Sequence, residues 1–270
     1  MSFQEEVAAI LVSTPRDSRG VVHSDFRSDH SMARRLERAE ATANARFVEA
    51  RAQLEPELGA RWIEVAGAYA MYDGSRSPCT QTFGLGLFQM PTRADMEELE
   101  RFFMDRQAPV FHEVSPLADK GLMPMMNERG YQPIEFTGVM FLPLDARPSS
   151  SSTGSDPFKV RVVGKLEEEL WARTAAEGWS GETEFSDLMF DLMRINATRA
   201  DGVCFLAELH GVPIATGALA IHDRVALLAG ASTVPQSRRQ GAQGALLEAR
   251  LRYAAQAGCD LAMFCAAPGC

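Results

Sequence analysis

The sequence predicts an α/β protein with mixed β-sheets (α+β), divided between two domains. Apolar segments of strand length alternate with amphipathic segments of helix length along most of the chain. A Ser-, Gly- and Pro-rich segment, DARPSSSSTGSDP, interrupts this pattern near the middle. A helix, a turn and an apolar strand occur on each side of it, as MEELERFFMDRQAPVFHEVSP and as ALLEARLRYAAQAGCDLAMFCAAP. We therefore expect two domains that arose by duplication.

These boundaries divide the chain into a tail at residues 1–30, a first domain at 31–145, a linker at 146–157 and a second domain at 158–270. The first domain is predicted to contain a long charged helix and the strands RWIEVAGAYAMY and TQTFGLGLF. The helix MEELERFFMDR, the strand PVFHEVSPL, a short helix around LMPMMNERG and the strand PIEFTGVMFLPL are predicted to follow. The second domain is predicted to contain the strand FKVRVV, two helices, three antiparallel strands ending in VALLAGASTV, a further helix and the strand DLAMFCA.

Composition argues against several classes of partner. The chain has 270 residues and a net charge of -9, which disfavours nucleic acid and anionic membranes because both attract basic surfaces. It lacks an apolar run of about 18 residues, and its first residues include acidic side chains where a signal peptide is basic. The five cysteines are odd in number and lack paired C-x-x-C spacing, so neither disulfides nor a metal site is indicated. We expect a cytoplasmic protein.

The segment VPQSRRQGAQG lies between a predicted strand and a predicted helix. A helix N-terminus carries unpaired N–H groups and a partial positive charge, which suit a phosphate. Gly241 and Gly244 would let an anion approach the backbone, and Arg238 and Arg239 add positive charge. A plain turn with solvated arginines is the alternative, because short glycine turns are common. The matching turn of the first domain, LFQMPTRADMEEL, has no glycine and three acidic side chains, so we expect no phosphate site there.

The second domain resembles the GNAT superfamily of N-acetyltransferases, whose signature at such a turn is R/Q-x-x-G-x-G/A. Arg238 to Gly241 match its first four positions, whereas Gln243 stands where glycine or alanine is usual. The first domain, about Met32 to Leu144, resembles a degenerate copy of the same fold. The resemblance implies two tandem GNAT-like acyl-CoA N-acyltransferase domains.

The resemblance also implies that acetyl-CoA is the co-substrate. The turn amides from about Gln240 to Ala245 would hold its pyrophosphate, and the strand edge at Ser232, Thr233 and Val234 would pair with the pantetheine arm. The implied cofactor-binding set is Ser232, Thr233, Val234, Arg238, Arg239, Gln240, Gly241, Ala242, Gln243, Gly244 and Ala245.

The implied reaction is direct transfer of an acetyl group to an amine, carried by a small molecule or a peptide. The Val234 N–H is the candidate that polarises the thioester carbonyl. Glu177 and Glu182, which flank Trp179, are the candidate bases. For each of these acids a plain surface carboxylate is the alternative.

The chain stops at Cys270, directly after the last predicted strand. We therefore expect the second domain to lack the final strands of the superfamily, which would leave an open sheet edge. Either the reading frame is cut short, or the first domain or another subunit of a homo-oligomer would cover that edge. The alternative function is a non-catalytic acyl-CoA-binding or interaction protein that retains the fold and the phosphate turn.

Overall fold

A computed structural model describes residues 29–144, 157–179 and 186–266. The described chain divides into two compact units that meet in the sequence between Phe136 and Thr137. We call them the N-terminal unit and the C-terminal unit. None of the helices in the described ranges is long and apolar enough to cross a membrane.

The N-terminal unit packs helices on a small antiparallel sheet. Its strands are β1 (Arg61–Val65), β2 (Ala68–Tyr72) and β3 (Thr82–Phe83), in the order β1-β2-β3. Its helices are α1 (His30–Leu54), α2 (Arg93–Met104) and α3 (Leu122–Glu128). β3 is shorter than the predicted strand TQTFGLGLF, because the chain turns at Gly84 and Gly86.

Helix α1 is fixed at both ends by carboxylates. Asp29 caps its start by accepting a hydrogen bond from the Met32 N–H at 2.9 Å. Near its end, the buried Arg51 Nε donates to the buried Asp73 Oδ1 at 3.0 Å. Because Asp73 directly follows β2, this ion pair joins the last turns of the helix to the sheet.

Helix α2 has its own carboxylate at its N-terminus. The Asp95 N–H donates to Thr92 Oγ1, and the Thr92 N–H donates to Asp95 Oδ2 at 2.8 Å, which forms a capping box. The side chain of Asp95 therefore occupies the place where an anion would bind. This arrangement agrees with the expectation that the first domain holds no phosphate at this turn.

The C-terminal unit is built on a six-stranded sheet with helices on both faces. The strands are β4 (Gly138–Pro143), β5 (Phe158–Val162), β6 (Gly202–Leu209), β7 (Val212–His222), β8 (Val225–Thr233) and β9 (Leu261–Ala266). The helices are α4 (Glu168–Trp179), α5 (Ser186–Thr198) and α6 (Ala242–Gln256). The strand order is β4-β9-β8-β7-β6-β5, and among the named pairs only β8 and β9 are parallel.

Strand β4 differs from the predicted domain boundary. Its residues fall within the predicted first domain, 31–145, which was one of the expected covers for the edge beside the last strand. β4 does cover that edge, pairing antiparallel with β9 from Gly138↔Ala266 to Pro143↔Leu261, but it belongs to the C-terminal unit. The Ser-rich segment thus joins β4 and β5, the two edge strands of one sheet.

The two faces of this sheet have separate cores. Phe205 and Leu219 point to the face covered by Leu246 and Leu251 of α6. The alternate positions of the sheet face α4, where Trp171 is completely buried. The Trp171 indole N–H donates to the Phe205 carbonyl at 3.0 Å, which satisfies its polar group within this core.

The N-terminal unit also buries acidic side chains. Glu37 on α1 is 8% exposed, and its Oε2 atom has no hydrogen-bond partner among the described residues. Burial, with a smaller contribution from nearby Glu113, raises the pKa of Glu37 to about 7. Burial also raises the pKa of Glu113. Glu37 therefore keeps its proton in the folded protein up to near-neutral pH.

We expect Glu37→Gln to stabilise the protein at high pH. From pH 4.5 to about 7 the unfolded chain loses the Glu37 proton while the folded chain retains it, so the free energy of unfolding falls as the pH rises. The variant should exceed the wild type by about 3 kcal/mol at about pH 8, and by little at or below pH 4.5. Urea unfolding at the two pH values measures this difference. Glu98→Gln on the exposed face of α2 is the control, and an equal gain at both pH values would contradict the expectation.

Candidate functional site

Strands β7 and β8 form a hairpin with a bulge. Between the pairs Ala218↔Ala229 and Thr216↔Ser232, only Gly217 lies on β7, whereas Gly230 and Ala231 both lie on β8. The extra residue on β8 is a β-bulge, which bends the strand that carries it. The sequence signal for this bulge is the glycine within VALLAGAST.

Gly230 has a left-handed backbone, with φ +60°. A Cβ atom at this position would lie 3.0 Å from the ring of the buried Trp171. Glycine is therefore required twice, for its backbone conformation and for the close approach of the ring. Trp171 fixes the bulge from the α4 face of the sheet.

Beyond its start, β8 separates from β9. The two strands pair in parallel only from Val225↔Leu261 to Leu227↔Met263. β8 then continues to Thr233 and β9 to Ala266, with no further pairs between them in the described chain. Ala229 is exposed although it lies in the middle of a strand. We call the gap between residues 228–233 and 264–266 the V-shaped opening.

The Gly230 N–H faces this opening. Both residues of the turn Asp223–Arg224 have positive φ, which is typical of a two-residue hairpin turn whose flanking pair, His222↔Val225, is hydrogen-bonded. In an antiparallel pair every second residue pair is hydrogen-bonded, so Ala218↔Ala229 is hydrogen-bonded too. The Ala229 carbonyl therefore points to β7. A trans peptide directs its N–H away from its C=O, so the Gly230 N–H points away from β7 and towards the opening.

Val234 has a different orientation from the one that the sequence analysis required. Its N–H donates to the Ile214 carbonyl at 2.9 Å, so it faces β7 and is already paired. The predicted contact between the Val234 N–H and a thioester carbonyl therefore does not fit this structure. The bulge shifts the alternation of the strand by one residue, so the Val234 N–H faces β7, whereas in a regular strand it would face the opening.

The predicted anion turn leads from β8 to an uncapped helix. A short 3-10 turn, Pro235–Ser237, follows β8, and α6 begins after Gly241, which has φ +92°. No side chain caps this helix, and its first turn contains no acidic residue. The first intrahelical bond runs from the Ala245 N–H to the Gly241 carbonyl, so the preceding amides at the helix start have no partner within the helix.

Gln243 does more than supply a backbone amide. Its side chain is 5% exposed, and its Nε2 donates to the Ser232 carbonyl at 2.6 Å, the Thr216 carbonyl at 3.1 Å and Thr233 Oγ1 at 3.1 Å. The two carbonyls require a donor, which fixes the orientation of the amide. Gln243 thus connects the start of α6 to the middle of β7 and to the end of β8, a role that glycine or alanine at this position lacks.

The two arginines of the turn differ in role. Arg238 Nη2 donates to the Gly178 carbonyl at 2.8 Å and its Nε donates to the Thr233 carbonyl at 3.3 Å, so it links the end of α4 to the end of β8. Arg239 is exposed, with φ +63°, and has no recorded partner among the described residues. Arg239 is therefore the better placed of the two to meet a bound anion.

The end of α4 packs directly on β8. Ser232 Oγ donates to the Ala175 carbonyl at 2.9 Å, and a Cβ on Gly178 would collide with the Ser232 side chain. Ser232 is therefore engaged with α4 and with Thr216, 2.9 Å away. Its side chain is part of the wall of the site.

The structure describes one of the two candidate bases. Glu177 lies on the exposed side of α4, and Glu182 lies outside the described residues. Tyr253 packs edge-on against Phe205 with ring centroids 5.6 Å apart, which makes it part of the core. The remaining predicted residues, Gln240, Gly241, Ala242, Gly244 and Ala245, line the turn and the first turn of α6.

We expect Gln243→Leu to destabilise the C-terminal unit. The substitution leaves two buried carbonyls and one hydroxyl without their donor, which should lower the free energy of unfolding by about 2–3 kcal/mol. Urea unfolding measures this loss. Gln256→Leu, at the exposed end of the same helix, is the matched control, and equal stability of the two variants would refute the proposed connection.

Residues 166–268 match the model of the acetyltransferase (GNAT) family. The search of curated proteins finds no match. The fold is similar to a GCN5-related N-acetyltransferase from Kribbella flavida, with 22% identity, 81% of this chain and 84% of that chain covered, and a TM-score of 0.54.

Two further solved structures match this fold with similar TM-scores. A GCN5-related N-acetyltransferase from Sphaerobacter thermophilus has 17% identity, with 75% of this chain and 69% of that chain covered and a TM-score of 0.51. A functionally unknown conserved protein from Staphylococcus epidermidis has 12% identity, 79% and 86% coverage and a TM-score of 0.53. At these identities the likeness concerns the fold, and it extends beyond the C-terminal unit. The predicted α/β class with mixed sheets is confirmed, and the match to the acetyltransferase (GNAT) family model lies within the C-terminal unit.

Proposed function

We propose that the protein is an N-acetyltransferase that transfers an acetyl group from acetyl-CoA to an amine. The observation that carries this proposal is the V-shaped opening, which leads from the β8 bulge to the uncapped N-terminus of α6. The opening suits an extended, amide-containing chain, and the helix N-terminus suits a pyrophosphate. Acyl-CoA carries both groups, because its amide-containing pantetheine arm is attached to a pyrophosphate.

The pyrophosphate would lie on the amides from about Gln240 to Ala245. These amides include the unpaired donors of the α6 start, and Gly241 keeps the approach open, because the nearest heavy atom to a Cβ there is a Phe158 ring atom at 3.8 Å. The exposed Arg239 would add a charge-assisted contact. Arg238 would act indirectly, through its hold on α4 and β8.

The pantetheine arm would pair with the outward edge of β8. Since the Val234 N–H faces β7, alternation directs the Thr233 backbone towards the opening. Thr233 would therefore supply the edge contact. Ser232 and Val234 would support the edge from inside the sheet.

In the proposed reaction, the amine nitrogen attacks the thioester carbonyl carbon. A C–N bond forms, the C–S bond breaks, the amine gives up a proton, and CoA leaves as the thiolate, which takes up a proton. Negative charge develops on the carbonyl oxygen during the attack, and the Gly230 N–H is the amide positioned to stabilise it. This assignment replaces Val234. Glu177 stays a candidate base on the surface of α4.

We also propose that the N-terminal unit is a degenerate copy of the same fold that has lost the phosphate turn. The Thr92–Asp95 capping box supports this, because it fills the helix start that corresponds to the α6 start in the repeated sequence pattern. The acceptor would be an amine of a small molecule or a peptide.

We expect Gly241→Glu to weaken the binding of acetyl-CoA. The glutamate would place a side chain and a negative charge where the pyrophosphate is expected, and titration calorimetry should show at least about a tenfold loss of affinity. Gly258→Glu is the matched control, since Gly258 also has a left-handed backbone, at the other end of α6, with no atom within 4 Å of its Cβ position. It should bind acetyl-CoA as the wild type does.

The same samples separate the two candidate functions. Release of free thiol from acetyl-CoA in the presence of one of a panel of amines supports an enzyme. Binding without thiol release across the panel would favour a non-catalytic acyl-CoA-binding protein. A folded wild type that does not bind acetyl-CoA would refute both.

A further inference from the structure

Arg250 is a buried cation directly behind the bulge. It lies on the inner face of α6 with 1% of its surface exposed. Among the described residues, no carboxylate forms an ion pair with it; its recorded hydrogen-bond partners are backbone carbonyls. Burying a charge without a counter-charge costs free energy, so an arginine is an unfavourable residue here if its side chain only fills space in the core.

The contacts of Arg250 point to the bulge. Its Nη1 lies 3.4 Å from both the Ala218 and the Ala229 carbonyl oxygens, the pair that directly precedes the extra residue, and its Nε lies 3.3 Å from the Leu246 carbonyl. Gly217 makes room for this approach, because a Cβ there would lie 2.9 Å from Arg250 Nε and Cζ. Burial lowers the pKa of Arg250 to about 10, which still leaves it protonated at neutral pH.

The Ala229 carbonyl and the Gly230 N–H belong to the same peptide group. A cation at the carbonyl oxygen draws electron density towards it and makes the N–H at the other end a stronger donor. The oxygen faces β7 and Arg250, whereas the N–H faces the V-shaped opening. The charge can therefore act in the opening without being exposed to it.

We propose that Arg250 is a positioning residue that holds and polarises the Ala229–Gly230 peptide, so that the Gly230 N–H binds the carbonyl oxygen of an acyl thioester more strongly. This inference rests on the proposed function. Trp171 and Arg250 would then have complementary tasks: the ring fixes the bulge from one face of the sheet, and the guanidinium orients its donor from the other.

The test is the infrared carbonyl band of bound acetyl-CoA labelled with ¹³C at the thioester carbonyl, which requires no acceptor. Wild-type protein should shift the band to lower frequency than in free acetyl-CoA. Arg250→Met should reduce this shift by about 10–30%, because the donor loses its polarising charge. Arg250→Lys should restore part of it. Arg252→Met, an exposed arginine of the same helix, should leave the band where the wild type has it.

Affinity and thermal unfolding are measured on the same variants. The proposal requires that Arg250→Met reduces the band shift while acetyl-CoA still binds within about threefold of the wild-type affinity. A full wild-type shift in Arg250→Met would overturn it. A reduced shift in Arg250→Met with no recovery in Arg250→Lys would also overturn it.

A second perturbation covers the case in which Arg250→Met does not fold. Gly217→Ala keeps the charge of Arg250 but displaces its guanidinium, because the added Cβ would lie 2.9 Å from Arg250 Nε and Cζ. Gly138→Ala on the edge strand β4 is its control, with its nearest atom at 3.5 Å. A reduced band shift in Gly217→Ala alone supports the proposal, and equal bands in both variants contradict it. Wild-type protein that fails to bind acetyl-CoA would instead reject the proposed function, and this inference with it.

Discussion

The bulge on β8 is the constraint on which the site depends. One additional residue turns a regular strand away from its parallel neighbour, and it exposes an amide inside an otherwise closed sheet. Such a distortion has a free-energy cost and persists because its surroundings enforce it. Here a buried indole, a buried guanidinium and two glycines do so from opposite faces of the sheet. The site is thus maintained by packing, before any ligand arrives.

The two helix starts of the chain show how similar sequence patterns lead to different chemistry. In α2, the Thr92–Asp95 capping box satisfies the first amides and places a carboxylate beside them. In α6, Gly241 precedes the first turn and leaves the amides to a ligand. A capped start gains stability from its own side chains, whereas an uncapped start gives up that stability and retains a binding surface.

The sequence predicted the order of helices and strands in the C-terminal unit and the helix-start turn, because local periodicity and glycine spacing encode both. It did not predict the orientation of the Val234 amide, which depends on an additional residue four positions earlier in the strand. The roles of Gln243 and Arg250 also depend on which carbonyls lie next to them in the folded sheet. The partner of β9 lies more than a hundred residues away in sequence, beyond the reach of any local pattern.

That last separation has a consequence for synthesis on the ribosome. β4 emerges early, but its partner β9 emerges only after every other strand of the sheet. Until then β4 is an apolar strand without a partner strand, and such segments are prone to non-native association and aggregation. Closing such a distant pair is also slow. The last step in forming the sheet is therefore expected to be the pairing of β4, the first strand to be synthesised, with β9, the last. The rate of translation through the residues between them sets how long β4 stays exposed.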